Sequence, residues 1–181
     1  MNTEAFANSR IGQLIVQALG AAMESRFRYR FFGPTPILQG ADIQASQTVL
    51  EVGCGTGFFT LPAAHLIGDD GCVVAMDVLP ASVEAVSKKV EAENLKNIHV
   101  IEGDALNTML DAGSMDVVLL FGVIPAPMLP LNRLLPEVHR ILKPGGIMAV
   151  WPPSWIAPSI VRSGLFTYAS KRNGVSNFKR C

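Results

Sequence analysis

Neither sign of charge prevails in this sequence, where fifteen Lys and Arg offset fifteen Asp and Glu across 181 residues. A protein that holds nucleic acid by covering its phosphates needs a surplus of cations, so stable nucleic-acid binding is not expected. Cysteine is scarce as well. The three thiols, Cys54, Cys72 and Cys181, are odd in number and show no CxxC spacing, and Cys54 stands between two glycines where disulfide geometry is awkward. A reduced, cytoplasmic setting fits this usage, and no metal site is expected. The opening residues MNTEAFANSR carry acidic and polar groups where a secretory peptide has a basic start and an apolar run, so no secretion signal is read there. Unbroken apolar runs are also missing. The two long uncharged stretches, Val117 to Asn132 and Pro144 to Val161, are each interrupted by several prolines, which a lipid-exposed helix of roughly 20 residues does not hold. No transmembrane segment is expected.

What remains is enough for one domain. A chain of this length buries roughly 70% of the surface its unfolded form exposes, so residues 1–181 read as a single unit that needs neither disulfide nor metal to fold. Charge is uneven along it. Acids outnumber bases from Ile37 to Glu137, and after Glu137 only bases follow, at Arg140, Lys143, Arg162, Lys171, Arg172, Lys179 and Arg180. Such a tail reads first as a solvated face and second as a docking face for a macromolecule.

Residues Ile11 to Phe27 place Ile11, Leu14, Ile15, Ala18, Leu19, Ala22 and Met23 at three-and-four spacing, the stripe of an amphipathic helix. Phe31-Phe32-Gly33-Pro34-Thr35-Pro36 then stops it, because the residue before each proline is pushed to extended geometry. From Thr48 the pattern changes to short apolar runs separated by helical stretches, as expected of parallel strands buried on both faces. Strands are expected at Thr48 to Val52, Cys72 to Met76, Ile98 to Ile101, Met115 to Phe121 and Ile147 to Trp151, and helices near Phe58 to Ile67, Pro80 to Asn94 and Asn132 to Leu142. This alternation predicts an α/β, doubly wound sheet. Pro80 suits a first helical turn and Pro144-Gly145-Gly146 reads as a helix stop, while Pro136 predicts a bend or a later start in its helix. After a short helix at Ser159 to Ser163, two runs flank Asn173-Gly174, the strongest short hairpin signal, so an antiparallel hairpin is expected at the C-terminus.

The first strand runs into Glu51-Val52-Gly53-Cys54-Gly55-Thr56-Gly57 and a helix starts at once after it. Glycines at such a junction allow positive φ and close approach, and free amides at the helix start favour a carboxylate or phosphate. In open sheets of this kind, ligands bind at the carboxyl ends of the strands. A dinucleotide fingerprint would place its third glycine where this chain has Phe58, which weakens a nicotinamide-cofactor reading. No lysine lies in Glu51 to Thr60, which excludes a Walker-type phosphate loop.

The segment VLEVGCGTG resembles motif I of the class I S-adenosylmethionine-dependent methyltransferases, an acid two residues before a G-x-G-x-G turn. The likeness continues in order with Asp77 and Val78 in VVAMDVLP, Gly103-Asp104-Ala105 in VIEGDAL, Met115-Asp116-Val117-Val118, and HRILKPGG before the fifth strand. It covers Thr48 to Val150. The resemblance implies a Rossmann-like seven-stranded sheet with an antiparallel C-terminal hairpin, S-adenosyl-L-methionine as cofactor and S-adenosyl-L-homocysteine as product. It also implies a cofactor loop at Gly53, Cys54, Gly55 and Gly57, with Glu51 holding that loop and the methionine amino group. Asp77 would accept from the ribose hydroxyls, a role that also suits a carboxylate at a strand end. By the same resemblance Asp104 would accept from the adenine amino group, Ala105 would meet the ring edge through its backbone, and the backbone at Phe121 and Gly122 would face the methionine amine. A strand-end acid at Glu51 or Asp77, and a helix N-cap at Asp104, are the duller accounts of the same residues.

Methyl transfer from a sulfonium needs in-line placement, exclusion of water and, for a protonated acceptor, a base, so no catalytic side chain is compulsory. Relatives that methylate exocyclic or amide nitrogens carry an Asn/Asp-Pro-Pro-aromatic motif where this chain has Phe121-Gly122-Val123-Ile124-Pro125-Ala126-Pro127, which disfavours that group. His65, His99 and His139 fall within expected helices and strands and read as structural. Only Pro152 to Gly164 fills the place where many relatives insert a cap, so residues 1–47 with Phe31 and Phe32, the loop Val123 to Leu131, and Trp151 with Trp155 are the available walls. Nearly all are apolar. A small apolar or aromatic acceptor is therefore expected, with a homo-oligomer interface as the competing explanation of the same surfaces. Methylation of a protein or RNA through the basic tail, and a noncatalytic cofactor-binding subunit, are the alternatives.

Overall fold

A computed structural model describes residues 33–181 apart from Pro127 and Pro153; the stripe at Ile11 to Phe27 and the pair Phe31 and Phe32 lie outside the described residues. Seven strands form one sheet: β1 (Thr48–Val52), β2 (Cys72–Asp77), β3 (Ile98–Glu102), β4 (Met115–Phe121), β5 (Leu142–Trp151), β6 (Phe166–Arg172) and β7 (Val175–Arg180). Their order is β3-β2-β1-β4-β5-β7-β6, with the first five parallel and β7 antiparallel to both β5 and β6. The strand order reverses between β1 and β4, which opens a crevice at their carboxyl ends.

Five α-helices are described: α1 (Pro34–Gly40), α2 (Thr60–Ile67), α3 (Pro80–Ala92), α4 (Leu131–Ile141) and α5 (Ala157–Arg162), the last preceded by a 3-10 turn at Ser154–Ile156. Two buried clusters sandwich the sheet. One gathers Val49, Val73, Val117 and Leu119 under α1 and α2, and the other gathers Leu50, Val118, Leu120 and Met148 under α4 and α5. Alternate residues of β1 and β4 face opposite clusters, and this two-sided burial is why those strands read as continuous apolar runs.

Three local expectations are revised. The segment with Pro34 and Pro36 was expected to turn and instead begins α1, because both prolines fall in the first helical turn, where a missing N–H breaks no intrahelical bond. β5 starts at Leu142 rather than Ile147: Met115 pairs Leu142 and Val117 pairs Ile147, so the Pro144-Gly145-Gly146 run is an outward bulge within the strand. Pro136 lies inside α4, which runs from Leu131 to Ile141 with no later start. The hairpin at Asn173-Gly174 forms as expected, with φ of 48° and 81° at the two turn residues.

The hairpin also fixes where the chain enters. Asn173 Nδ2 donates to the Pro36 carbonyl at 2.7 Å, Asn177 Nδ2 to the Gly40 carbonyl at 2.8 Å, and Arg172 pairs Asp42 at 2.9 Å. A Cβ on Gly40 would meet the Arg172 carbonyl oxygen at 2.4 Å, so only glycine fits that approach. Because Val150 pairs Ser176, the hairpin turn lies at the carboxyl end of β5, and α1 therefore begins at that end of the sheet.

Candidate functional site

The loop between β1 and α2 is built around β2. The Met76 carbonyl accepts from both Gly53 N–H at 2.8 Å and Cys54 N–H at 3.0 Å, and Gly57 N–H closes onto the Cys54 carbonyl at 2.8 Å. Gly53, Gly55 and Gly57 all have positive φ, at 72°, 54° and 87°. At Gly53 a Cβ would stand 2.5 Å from Val123 Cγ1, so the segment after β4 packs directly onto this loop and requires glycine there. At Gly55 and Gly122 a Cβ would meet nothing within 4 Å, so the backbone at these two positions borders open space.

Asp77 ends β2 and is buried, yet its two oxygens are both engaged. Oδ2 accepts from Gly55 N–H at 2.8 Å and Oδ1 from Leu79 N–H at 3.0 Å, so the carboxylate ties the glycine loop to the start of α3. Burial raises its pKa above the usual carboxylate value, opposed by bonds from Leu79, Gly55 and Val78 N–H and the Ser82 hydroxyl. Glu51, 3% exposed, accepts from Thr60 Oγ1 on Oε2 at 2.5 Å. Desolvation pushes its carboxyl up to about 8, with the Thr60 bond lowering it and the charge of Asp77 adding to the rise. Burial next to Glu51 and Asp77 also drives the Cys54 thiol well above its ordinary value, which keeps it protonated and unreactive.

The remaining expected residues line the same edge. Gly103 N–H donates to the Asp77 carbonyl at 3.0 Å and brings the end of β3 beside that of β2; half-buried Val78 follows Asp77 directly. Asp104 Oδ1 accepts from Leu106 N–H at 2.9 Å and its carbonyl from Asn107 N–H at 2.9 Å, a local turn with no helix after it, so the helix N-cap account of Asp104 does not hold. Ala105 is buried on the cluster that contains Met76. Phe121 turns its ring into the core against Phe59, at a centroid distance of 5.0 Å, and leaves only its backbone at the strand end beside exposed Gly122. The three histidines take no part in this edge: His65 is exposed and stands 3.5 Å from Glu93, His99 is exposed on β3, and His139 packs edge-on to Phe166.

Thr60 and Leu79 were not singled out in the sequence although each shapes the site, and Val123, named only within an acceptor-side loop, packs on Gly53. The signal for Thr60 was present: a hydroxyl in the first turn of the helix that follows an acid-glycine strand end. A separate cleft of about 480 Å³ lies on the helix side, lined by Gly57, Phe58, Leu61, Pro62, His65, Lys89 and Glu93. There Lys89 donates to the Thr56 carbonyl at 2.7 Å and braces the glycine loop from behind.

Residues 49–146, which contain this whole edge, match the methyltransferase domain family. The chain belongs to the class I S-adenosylmethionine-dependent methyltransferase family. Among curated proteins, the chain is 30% identical over 128 residues to a demethylmenaquinone methyltransferase of Lactobacillus johnsonii, covering 70% of this chain and 52% of that protein. It is 31% identical over 112 residues to the demethylmenaquinone methyltransferase of Geobacillus stearothermophilus, covering 61% and 47% of the two chains. The chain thus spans about half the length of the curated relatives it matches. Among solved structures, an S-adenosylmethionine-dependent methyltransferase from Aquifex aeolicus shares the fold with a TM-score of 0.73 at 22% identity, covering 92% of this chain and 96% of that one. S-adenosylmethionine is the family's cofactor, and the residues present suit it. A carboxylate oxygen that takes one donor, as each oxygen of Asp77 does, has capacity for another, and the bare backbone at Gly55 and Gly122 leaves room for a ligand.

Proposed function

We propose that this methyltransferase transfers a methyl group from S-adenosylmethionine to a small apolar or aromatic acceptor, of the class that the relatives' name, demethylmenaquinone methyltransferase, describes. The observation that carries the cofactor part is the buried Asp77 carboxylate, held by Gly55 and Leu79 N–H at the strand ends beside Glu51. In this reading Asp77 accepts from the ribose hydroxyls and Glu51 faces the methionine ammonium. Asp104 and Ala105 border the adenine, and Gly53, Cys54, Gly55 and Gly57, with Val78 and Gly103, form the floor. The backbone at Phe121 and Gly122 closes the side toward β4. When bound, S-adenosylmethionine supplies an electrophilic methyl group on a sulfonium, so the chain's own contribution is placement and exclusion of water.

Among the described residues, the loop on the acceptor side is uncharged. Gly122 to Asn132 contains no Asp, Glu, Lys, Arg or His, and Val123 of that stretch lies on the glycine loop. Trp151 is half-buried against Phe59 and Phe121, and Trp155, 69% exposed, follows it at the same end of the sheet. α1 begins at the carboxyl end of the sheet, beside the hairpin turn, and this supports the reading that residues 1–47 contribute to a cover. A macromolecular acceptor receives less support. Several bases of the C-terminal part are already engaged: Arg140 with Glu137, Lys143 with Asp116, Arg172 with Asp42, and Arg180 with the Leu142 carbonyl. Among the described residues no helix is long and apolar enough to cross a membrane.

The test is methyl transfer from labelled S-adenosylmethionine to apolar hydroquinones, phenols and thiols, with S-adenosylhomocysteine counted against methylated product. One-to-one formation on an apolar acceptor is the expected result. Saturated cofactor binding with no transfer to any of them contradicts the acceptor assignment and leaves a noncatalytic subunit or a macromolecular substrate.

A further inference from the structure

Glu51 lies in a cluster of acids that contains no cation. The Thr60 hydroxyl reaches it from α2, the charge of Asp77 at the end of β2 acts on it, and its own charge acts on the Cys54 thiol in the loop after β1. Its partners across the sheet, Ala75 on β2 and Leu119 on β4, are apolar. On α3 the Lys89 ammonium is turned to the Thr56 carbonyl at 2.7 Å, and no described Lys, Arg or His pairs with Glu51. The hydrogen bond from Thr60 to Oε2 is the one bond that the Glu51 side chain makes to the described residues. A full negative charge so enclosed, beside a second carboxylate, costs far more than a neutral carboxyl group. The strongly raised pKa described above agrees with this geometry.

We propose that Glu51 carries a proton on Oε1 in the free protein and releases it when the ammonium of the cofactor's methionine moiety enters, so that cofactor binding is coupled to loss of one proton. This rests on the proposed placement of that moiety beside Glu51. The ammonium supplies the missing countercharge, and the proton passes to solvent. Affinity for the cofactor then rises with pH by up to about tenfold per unit below the titration of the free carboxyl group. Burial raises the Asp77 carboxyl as well, against the backbone donors on both its oxygens, so a ligand that meets Asp77 but not Glu51 is needed to separate the two.

Calorimetric titration of the whole protein with S-adenosylhomocysteine at pH 7, in two buffers of different ionisation enthalpy, reads the proton directly. The expected difference in heat corresponds to release of about half to one proton per site. 5′-Methylthioadenosine, which lacks the amino-acid moiety, should bind with equal heat in both buffers. Glu51→Gln should remove the buffer dependence. Thr60→Val keeps the carboxyl group while removing the donor that favours its charge, so it should shift the release to higher pH. Saturable binding of S-adenosylhomocysteine with equal heats in both buffers overturns the proton coupling alone. Absence of binding overturns the cofactor placement and the coupling with it.

Discussion

At the amino ends of β4 and β5, Asp116 takes Lys143 Nζ on both oxygens at 2.8 Å and also accepts from Thr48 N–H at 2.8 Å. In the later turns of α4, Glu137 holds Arg140 and both donors of Thr108. At the carboxyl ends of β1 and β2 the acids are more deeply buried, yet Glu51 and Asp77 have only hydroxyl and amide donors. Acids that serve the fold are matched with cations from the same fold. In the reading proposed above, the acids at the carboxyl-end edge are left to be matched by what binds.

The contrast extends to pH. Arg140 and Thr108 lower the Glu137 carboxyl to about 2, so its contribution is present above about 4.5 and is lost as pH falls toward 2. Glu51 behaves in the opposite sense. Its folded pKa is raised from 4.5 to about 8, so the folded state loses stability as pH rises across that interval.

Substitution at the ligand end should have the larger effect. Asp77→Ala removes the proposed ribose acceptor and the tie between Gly55 and Leu79, and should weaken cofactor binding by about 1.5 to 3 kcal/mol, or roughly 10- to 150-fold. Titration of the variant with S-adenosylhomocysteine measures this, and unchanged affinity would show that the ribose lies elsewhere. Glu137→Gln should leave cofactor affinity unchanged and cost about 1 kcal/mol of stability at pH 7. In urea denaturation at a series of pH values, this variant should lose part of the decline between pH 4.5 and 2. An undiminished acid limb would mean that the Glu137 cluster does not distinguish the two ends.

Much of this contrast was legible in the sequence, but only one side of it. The acid-glycine run at Glu51 to Gly57, Asp77 at a strand end and the hairpin at Asn173-Gly174 are local patterns, each set by backbone conformation within a few residues. The donors that complete the site are set by packing: Thr60 reaches Glu51 only because α2 folds back over β1, and Val123 meets Gly53 only because β4 lies beside β1. The same limit explains the errors in the elements. Pro34 and Pro36 read as breakers because their positions within a helical turn were unknown; the helix before Pro144-Gly145-Gly146 does end, at Ile141, but the early start of β5 was missed because pairing of Leu142 with Met115 is nonlocal. For Asp104, the helix-cap account depended on what followed, and no helix follows.

The central claim is that the carboxyl-end edge formed by Glu51, Gly55, Asp77 and Asp104 takes an S-adenosyl group. Calorimetric titration of the purified protein with S-adenosylmethionine and S-adenosylhomocysteine, with NAD in parallel, tests it most directly. The account predicts saturable one-to-one binding of both sulfur compounds and no binding of NAD. Binding of NAD, or of none of the three, would contradict it.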